Sequence, residues 1–168
     1  EKIDIIQFSD DAKEYIAHAL APAKILNVKL NTEEKITKIQ ELISRGASIN
    51  PRLDGYLEEE KHPGMYDNVY SDFPLLFALD GKDEKLVMFL LEKGMDPTIT
   101  TVSKGGWYPI HYAVRFSMYN VVRFILEKYP NEINKKNINN TTPLELAEYD
   151  KNERMIELLK KYKKIMKR

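Results

Sequence analysis

Phe73-Pro-Leu-Leu-Phe-Ala78 returns as Tyr108-Pro-Ile-His-Tyr-Ala113 and again as Thr142-Pro-Leu-Glu-Leu-Ala147. The three prolines stand 35 (109 − 74) and 34 (143 − 109) residues apart. Self-similarity at a spacing of roughly 20 to 50 residues marks a stack of supersecondary units, none of which buries its apolar face alone. A chain built this way points to binding before catalysis.

Each hexapeptide predicts the start of a helix. Proline has its φ preset for the first turn, and the N–H it lacks would be unpaired there anyway. Eight residues after each alanine a second apolar run begins: Leu86, Val87, Phe89, Leu90 and Leu91; Val121, Val122, Phe124, Ile125 and Leu126; Met155, Ile156, Leu158 and Leu159. Within each run the i, i+3, i+4 spacing gives one wide apolar face, the mark of a helix and not a strand. Gly94 stands where a left-handed C-terminal cap would close the first of them. The predicted unit is helix, tight turn, helix, loop.

This pattern resembles the ankyrin repeat, whose T-P-L-H-x-A signature and period of about 33 residues describe a β-turn finger followed by two antiparallel helices. Tyr108-Pro-Ile-His-Tyr-Ala113 keeps its Pro, His and Ala, and Leu90-Leu-Glu-Lys-Gly-Met-Asp-Pro97 is similar to its second-helix end. Ile39, Leu42, Ile43, Gly46, Ala47 and Asn50 repeat that ending 48 residues (94 − 46) before Gly94. A fourth unit with a divergent first helix is therefore expected, with an insertion of roughly 15 residues between Pro51 and Asp72. The resemblance implies an all-α solenoid of about four helix-turn-helix units over residues 24 to 162 or so. The expected layout is a single domain: an N-terminal cap over 1–23, a divergent first repeat over 24–50, an inserted loop over 51–71, repeats over 72–105 and 106–139, and a fourth repeat with a basic C-terminal cap over 140–168.

Departures from the family pattern fall on caps. Thr142 is retained, but Phe73 and Tyr108 stand where threonine would cap the first helix, at a typical cost of about 1 kcal/mol each. His111 occupies the place of the family's structural histidine, which ties neighbouring turns together. Leu76 and Glu145 replace it in the flanking units, and His111 is expected to be structural, with no chemical role.

Composition bounds the remaining functions. With 43% apolar and 10% aromatic residues the chain has the means to build a continuous core. Lys+Arg and Asp+Glu are both 26, so there is no basic excess for a polyanion and no nucleic-acid partner is expected. The absence of cysteine removes disulfides, thiolate catalysis and cysteine zinc sites, and leaves the redox compartment open. No run approaches about 18 consecutive apolar residues, so no membrane-spanning helix is expected. A first residue of Glu and not Met is expected to reflect either trimming or removal of a leader, so cytoplasm and export both stay open.

Catalytic constellations are weak. None of the histidines, His18, His62 and His111, has a second four residues away, and no Gly-x-Ser-x-Gly elbow is present. Asp54, Glu58, Glu59, Glu60 and His62 crowd the inserted loop, but in neither an EF-hand nor a zinc spacing, so no metal and no cofactor are expected. Tyr56, Tyr66 and Tyr70 in that loop either seal the first two units or join a contact surface. The basic last helix, from about Asn152, reads as a solvating cap, with attraction to an acidic partner as the second reading.

A partner site follows from the resemblance. In ankyrin architecture the finger tips and the ends of the first helices line a concave groove. Carried over by position, those places hold Asp72, Asp80 and Gly81 in the second unit; Trp107, Arg115 and Phe116 in the third; and Thr141, Tyr149 and Asp150 in the fourth. Trp, Tyr and Arg dominate interface energetics because each buries much area with little lost rotamer freedom. The expected patch is Trp107, Phe116 and Tyr149 with Arg115, rimmed by Asp72, Asp80 and Asp150 and joined by Tyr70. The bland alternative folds Trp107 against Tyr70 or Tyr108. A protein partner gripped by a monomeric adaptor is the leading function. An inhibitor or immunity protein against a cognate toxin or enzyme, or the ankyrin segment of a larger effector, stands second.

Overall fold

The computed structural model describes residues 30–45, 49, 74–98 and 106–166. The expected N-terminal cap, the first helix of the first unit, the whole inserted loop with Tyr70, and Asp72 lie outside the described residues, as do His18 and His62.

Seven α-helices occur among the described residues: α1 Thr32–Ser44, α2 Pro74–Asp80, α3 Glu84–Glu92, α4 Pro109–Arg115, α5 Tyr119–Lys128, α6 Pro143–Tyr149 and α7 Glu153–Ile165. A 3-10 turn, Pro130–Asn134, follows α5. The three prolines open α2, α4 and α6, as their preset φ requires. Each of these short helices packs against the longer one after it. The short helices also pack on one another in the order α2, α4, α6, and the long ones in the order α1, α3, α5. Two rows result, one of first helices and one of second helices, sharing one apolar seam.

α1 belongs to the second-helix row, because it packs on α3. This is the position that its likeness to the Leu90–Pro97 ending predicts. Asn31 and Glu34 form a full capping box at its start, and Ile39 is completely buried. Thr32 donates its hydroxyl proton to Asp83 Oδ2 at 2.6 Å, and Lys85 pairs with Glu33. These contacts pin α1 to the start of α3.

Burial follows the predicted stripes. Leu75, Ala78 and Leu79 of α2, Ile110, Ala113 and Val114 of α4, and Leu146 and Ala147 of α6 line the first-helix row. Leu86, Val87, Leu90 and Leu91, then Val121, Val122, Ile125 and Leu126, then Met155, Ile156 and Leu159 line the second. All join one apolar cluster.

The turn inside each helix pair repeats as faithfully as the prolines. Lys82, Ser117 and Lys151 have φ of 55°, 57° and 53°, and lie 35 (117 − 82) and 34 (151 − 117) residues apart. Around each, the amide three residues past the helix reaches back to the alanine of the hexapeptide: Asp83 to Ala78 at 3.0 Å, Met118 to Ala113 at 2.8 Å, Asn152 to Ala147 at 3.0 Å. These are Schellman closures with a non-glycine residue in the left-handed position. The residue after each then caps the next helix. Asp83 Oδ1 accepts from the amide of Leu86, and Asn152 Oδ1 from that of Met155, both at 3.1 Å. Met118 offers no side-chain cap. Glu84 of the preceding pair supplies part of what is missing, accepting the Asn120 amide proton at 3.2 Å.

Candidate functional site

Finger segments precede α4 and α6. In the fourth unit, Asn137 folds the tip around its own side chain: Oδ1 accepts the amide protons of Asn139 at 2.9 Å and Thr141 at 3.0 Å. Asn140 takes φ of 60°, and Gly106, 34 residues (140 − 106) earlier, the same value. The two fingers touch there. A Cβ on Gly106 would stand 2.6 Å from Ile138 Cγ2 and 3.3 Å from Ile138 N, so only glycine fits the place.

His111 holds the fingers in register. It is completely buried; Nδ1 accepts the Tyr108 amide proton at 3.2 Å, and Nε2 donates to the Thr141 carbonyl at 3.0 Å. The Tyr108 bond assigns the neutral tautomer, since Nδ1 cannot be both acceptor and proton carrier. Burial, the largest influence, lowers its pKa, against backbone bonds that raise it. A neutral imidazole with both nitrogens engaged is a strut, as the expected structural role requires. It also supplies the N3 half of a capping box by accepting the Tyr108 amide proton, while the Tyr108 side chain makes no cap hydrogen bond of its own. In the fourth unit Glu145 does this work, accepting the Thr142 amide proton at 2.7 Å while Thr142 Oγ1 accepts from the Glu145 amide at 3.3 Å. The Thr142 amide and, at 2.8 Å, the Thr142 hydroxyl both donate to the Glu145 carboxylate and hold it below its ordinary pKa.

The expected partner residues separate into two kinds. Tyr149, at the end of α6, is 81% exposed. Asp80 at the end of α2 and Arg115 at the end of α4 are also exposed. Trp107 and Phe116 are instead half-buried and packed on the core cluster. The Trp107 ring meets Tyr112 edge-on at 5.3 Å between centroids and tilts against His111 at 6.0 Å. Among the described residues it thus leans on its own helix, and Tyr70, one of the two supports expected for it, lies outside them. Phe116 lies 6.5 Å from Tyr112 and is covered by the Lys82 ammonium 5.0 Å above its ring. Packing accounts for much of both rings, which the sequence pattern does not predict for Phe116. An exposed three-ring cluster of Trp107, Phe116 and Tyr149 is therefore not what the geometry offers. It offers one exposed ring beside two that are partly seated.

Arg115 and Asp150 form an ion pair from the end of α4 to the end of α6. One turn below, Asn152 Nδ2 donates to Ser117 Oγ at 2.9 Å and Tyr119 donates its hydroxyl proton to Asn152 Oδ1 at 3.1 Å. With Lys82 over Phe116, every junction between consecutive first helices among α2, α4 and α6 carries a polar cross-tie at the tight turn.

Ile138 was missed by sequence reasoning. It is 73% exposed at the fourth finger tip, above Gly106. The available signal was an isoleucine inside Asn137-Ile-Asn-Asn-Thr-Thr142, an otherwise polar tip. Among the described residues no group of three or more His, Cys, Asp or Glu side chains is arranged to hold a metal ion. No helix among them is long and apolar enough to cross a membrane.

Two curated proteins share a short stretch with this chain. The transcription termination/antitermination proteins NusA of Halalkalibacterium halodurans and of Bacillus subtilis are each 51% identical to it over 39 residues, 23% of this chain. The match spans about a tenth of the length of those relatives, 10% in each case, and carries no more than local likeness. A family model described as ankyrin repeats (3 copies) matches residues 33–137 and again residues 75–168. The paired helices, the recurring proline starts and a model running over well over half of the sequence agree: the chain belongs to the ankyrin repeat family.

Proposed function

We propose that this chain grips a protein partner with the face made by its finger turns and the ends of its first helices. Ankyrin repeats are generally protein–protein interaction modules and are typically not enzymes, which supports the reading. On that face Tyr149 and Ile138 supply exposed apolar contact, Trp107 and Phe116 a partly seated aromatic floor, and Arg115 with Asp80 and Asp150 the polar rim. Asp72 and Tyr70 belong to the same proposed surface by position.

The exposure of Tyr149 carries the proposal. Leu146 and Ala147 on the same short helix are buried, whereas the Tyr149 ring is 81% in water. Single exposed apolar residues are ordinary. This one falls at the position that the repeat register assigns to partner contact, and tyrosine is a residue type favoured at interface centres.

The test is affinity capture from the native host, identification of the bound protein by mass spectrometry, and titration of that partner against variants. Tyr149→Ala and Ile138→Ala should leave thermal stability within about 0.5 kcal/mol, as exposed sites do, and weaken the partner by about tenfold or more together. Trp107→Ala and Phe116→Ala are poorer probes, because both rings pack on the core and their loss costs stability as well. Unchanged affinity in the Tyr149→Ala, Ile138→Ala double variant would rule this face out.

A further inference from the structure

The turn that leads from the third helix pair to the fourth buries a charged side chain. Glu132, in the 3-10 turn Pro130–Asn134, is 3% exposed, and Ile133 beside it is 1% exposed. The turn packs against α5, α6 and α7, whose Ile125, Leu126, Leu146, Met155 and Leu159 belong to the same apolar cluster as Ile133. Oε1 of Glu132 stands 3.7 Å from the Lys135 ammonium, a long ion pair. Oε2 has no hydrogen-bond partner among the described residues. Lys135 is shared, since its ammonium also lies 4.8 Å from the centre of the Tyr108 ring. Asp96, in the loop after α3 and 36 residues (132 − 96) upstream, adds a like charge to the carboxyl's surroundings. A buried carboxylate served by one distant, shared cation is poorly compensated, whereas a protonated carboxyl in the same place has little charge to compensate.

We propose that Glu132 makes the joint between the third and fourth helix pairs responsive to protons: uptake of a proton by its carboxyl tightens the joint, and ionisation loosens it. Burial is the largest influence and pushes the carboxyl above its ordinary range; the Lys135 charge pulls it down, and Asp96 pushes it up. The folded value therefore exceeds the unfolded one. Folding gains stability from this group below the ordinary carboxylate range and loses it as pH rises through the raised value. His111 acts in the opposite sense, since its depressed value makes acid unfavourable. In a stack where each unit touches only its neighbours, a weakened joint opens locally, so the response belongs to α6 and α7.

Glutamine at position 132 keeps the shape and cannot ionise. Urea midpoints and amide protection factors of α6 and α7 are to be measured for wild type and Glu132→Gln from about pH 5 to pH 8. The expected result is that the variant gains on wild type as pH rises, reaching about tenfold higher protection at the alkaline end for each unit by which the carboxyl is raised. His111 is common to both chains and cancels. Parallel profiles across the range would overturn the proposal. If the glutamine chain fails to fold, carbon-13 titration of the Glu132 carboxyl in wild type decides: a midpoint above those of the exposed glutamates supports the proposal, and one among them overturns it.

Discussion

The imidazole of His111 bonds the carbonyl of Thr141 across 30 positions of sequence, at 3.0 Å, so a helix of the third unit carries the finger of the fourth. Its other nitrogen serves its own finger through the Tyr108 amide. Both ends of the strut are backbone groups, which leaves the connection indifferent to side-chain identity at Thr141 and dependent on His111 alone.

Replacing His111 with alanine should therefore cost more than a hydrogen bond. The Tyr108 amide loses its partner, at about 1 to 3 kcal/mol where no water replaces the ring; the Thr141 carbonyl keeps only the Asn137 amide, at 3.2 Å; and a fully buried ring leaves a void. The urea midpoint should fall sharply. The pH dependence follows from the lowered value of His111. Its unfolded counterpart, at about 6.5, takes up a proton first as pH falls. Stability from the neutral ring is thus fully present above about 6.5 and is lost as pH drops through that value toward the folded one. His111→Gln should abolish this acid-side decline, visible as a smaller loss of midpoint between pH 7 and pH 5 than in wild type.

Gly106 and Ile138 give a cleaner steric test. With φ of 60° and a potential Cβ 2.6 Å from Ile138 Cγ2, Gly106→Ala meets both backbone strain and a clash. The left-handed conformation alone costs a non-glycine residue about 1 to 2 kcal/mol. Ile138 is 73% exposed, so Ile138→Ala by itself should change little. The double variant should recover part of the Gly106→Ala loss by removing Cγ2. Full recovery is not expected, because the Ile138 amide nitrogen stays 3.3 Å from the added methyl. Thermal midpoints of the four chains form the cycle that measures this coupling.

How much of this was legible in the sequence differs between the fold and the face. Pro74, Pro109 and Pro143 announced their helices because a proline's φ is a local property. The buried stripes were equally plain, since helical spacing alone decides which residues share a side. The tight turns were not. Their left-handed positions hold Lys82, Ser117 and Lys151, and Gly81 stands one residue too early to mark the first of them. The neighbourhoods of Phe116, Arg115 and Glu132 depend on residues some 35 positions away or on a turn that no local signal names. Lys82 covers Phe116, Asp150 pairs Arg115, and the 3-10 turn buries Glu132. Contacts between repeats are products of stacking, and one repeat read alone does not contain them.

Asn152 concentrates three contacts in one side chain, two of them between repeats. Its Oδ1 caps α7 through Met155 and receives the Tyr119 hydroxyl, and its Nδ2 serves Ser117. Asn152→Ala should lose the cap, about 1 kcal/mol in typical helices, and with it the tie between the third and fourth tight turns. Asn152→Asp keeps the acceptor and loses the donor to Ser117. Chemical denaturation should rank the chains wild type, Asp, Ala in falling stability. An alanine variant equal to wild type would show that these bonds merely replace equivalent ones to water.

The left-handed turn positions make the reverse prediction, that a substitution stabilises. Lys151 is exposed and holds φ of 53°, a conformation that glycine adopts without a Cβ penalty. Lys151→Gly should raise stability by about 0.5 to 1 kcal/mol, the relief of strain being partly offset by glycine's greater freedom in the unfolded chain. Lys82→Gly relieves the same strain but removes the ammonium from above Phe116, and Ser117→Gly removes the acceptor of Asn152. Both should therefore gain less than Lys151→Gly. The order of the three thermal midpoints separates the backbone term, common to all, from the cross-ties that two of them lose. A larger gain at Lys82 than at Lys151 would mean that the ammonium contributes nothing over the Phe116 ring.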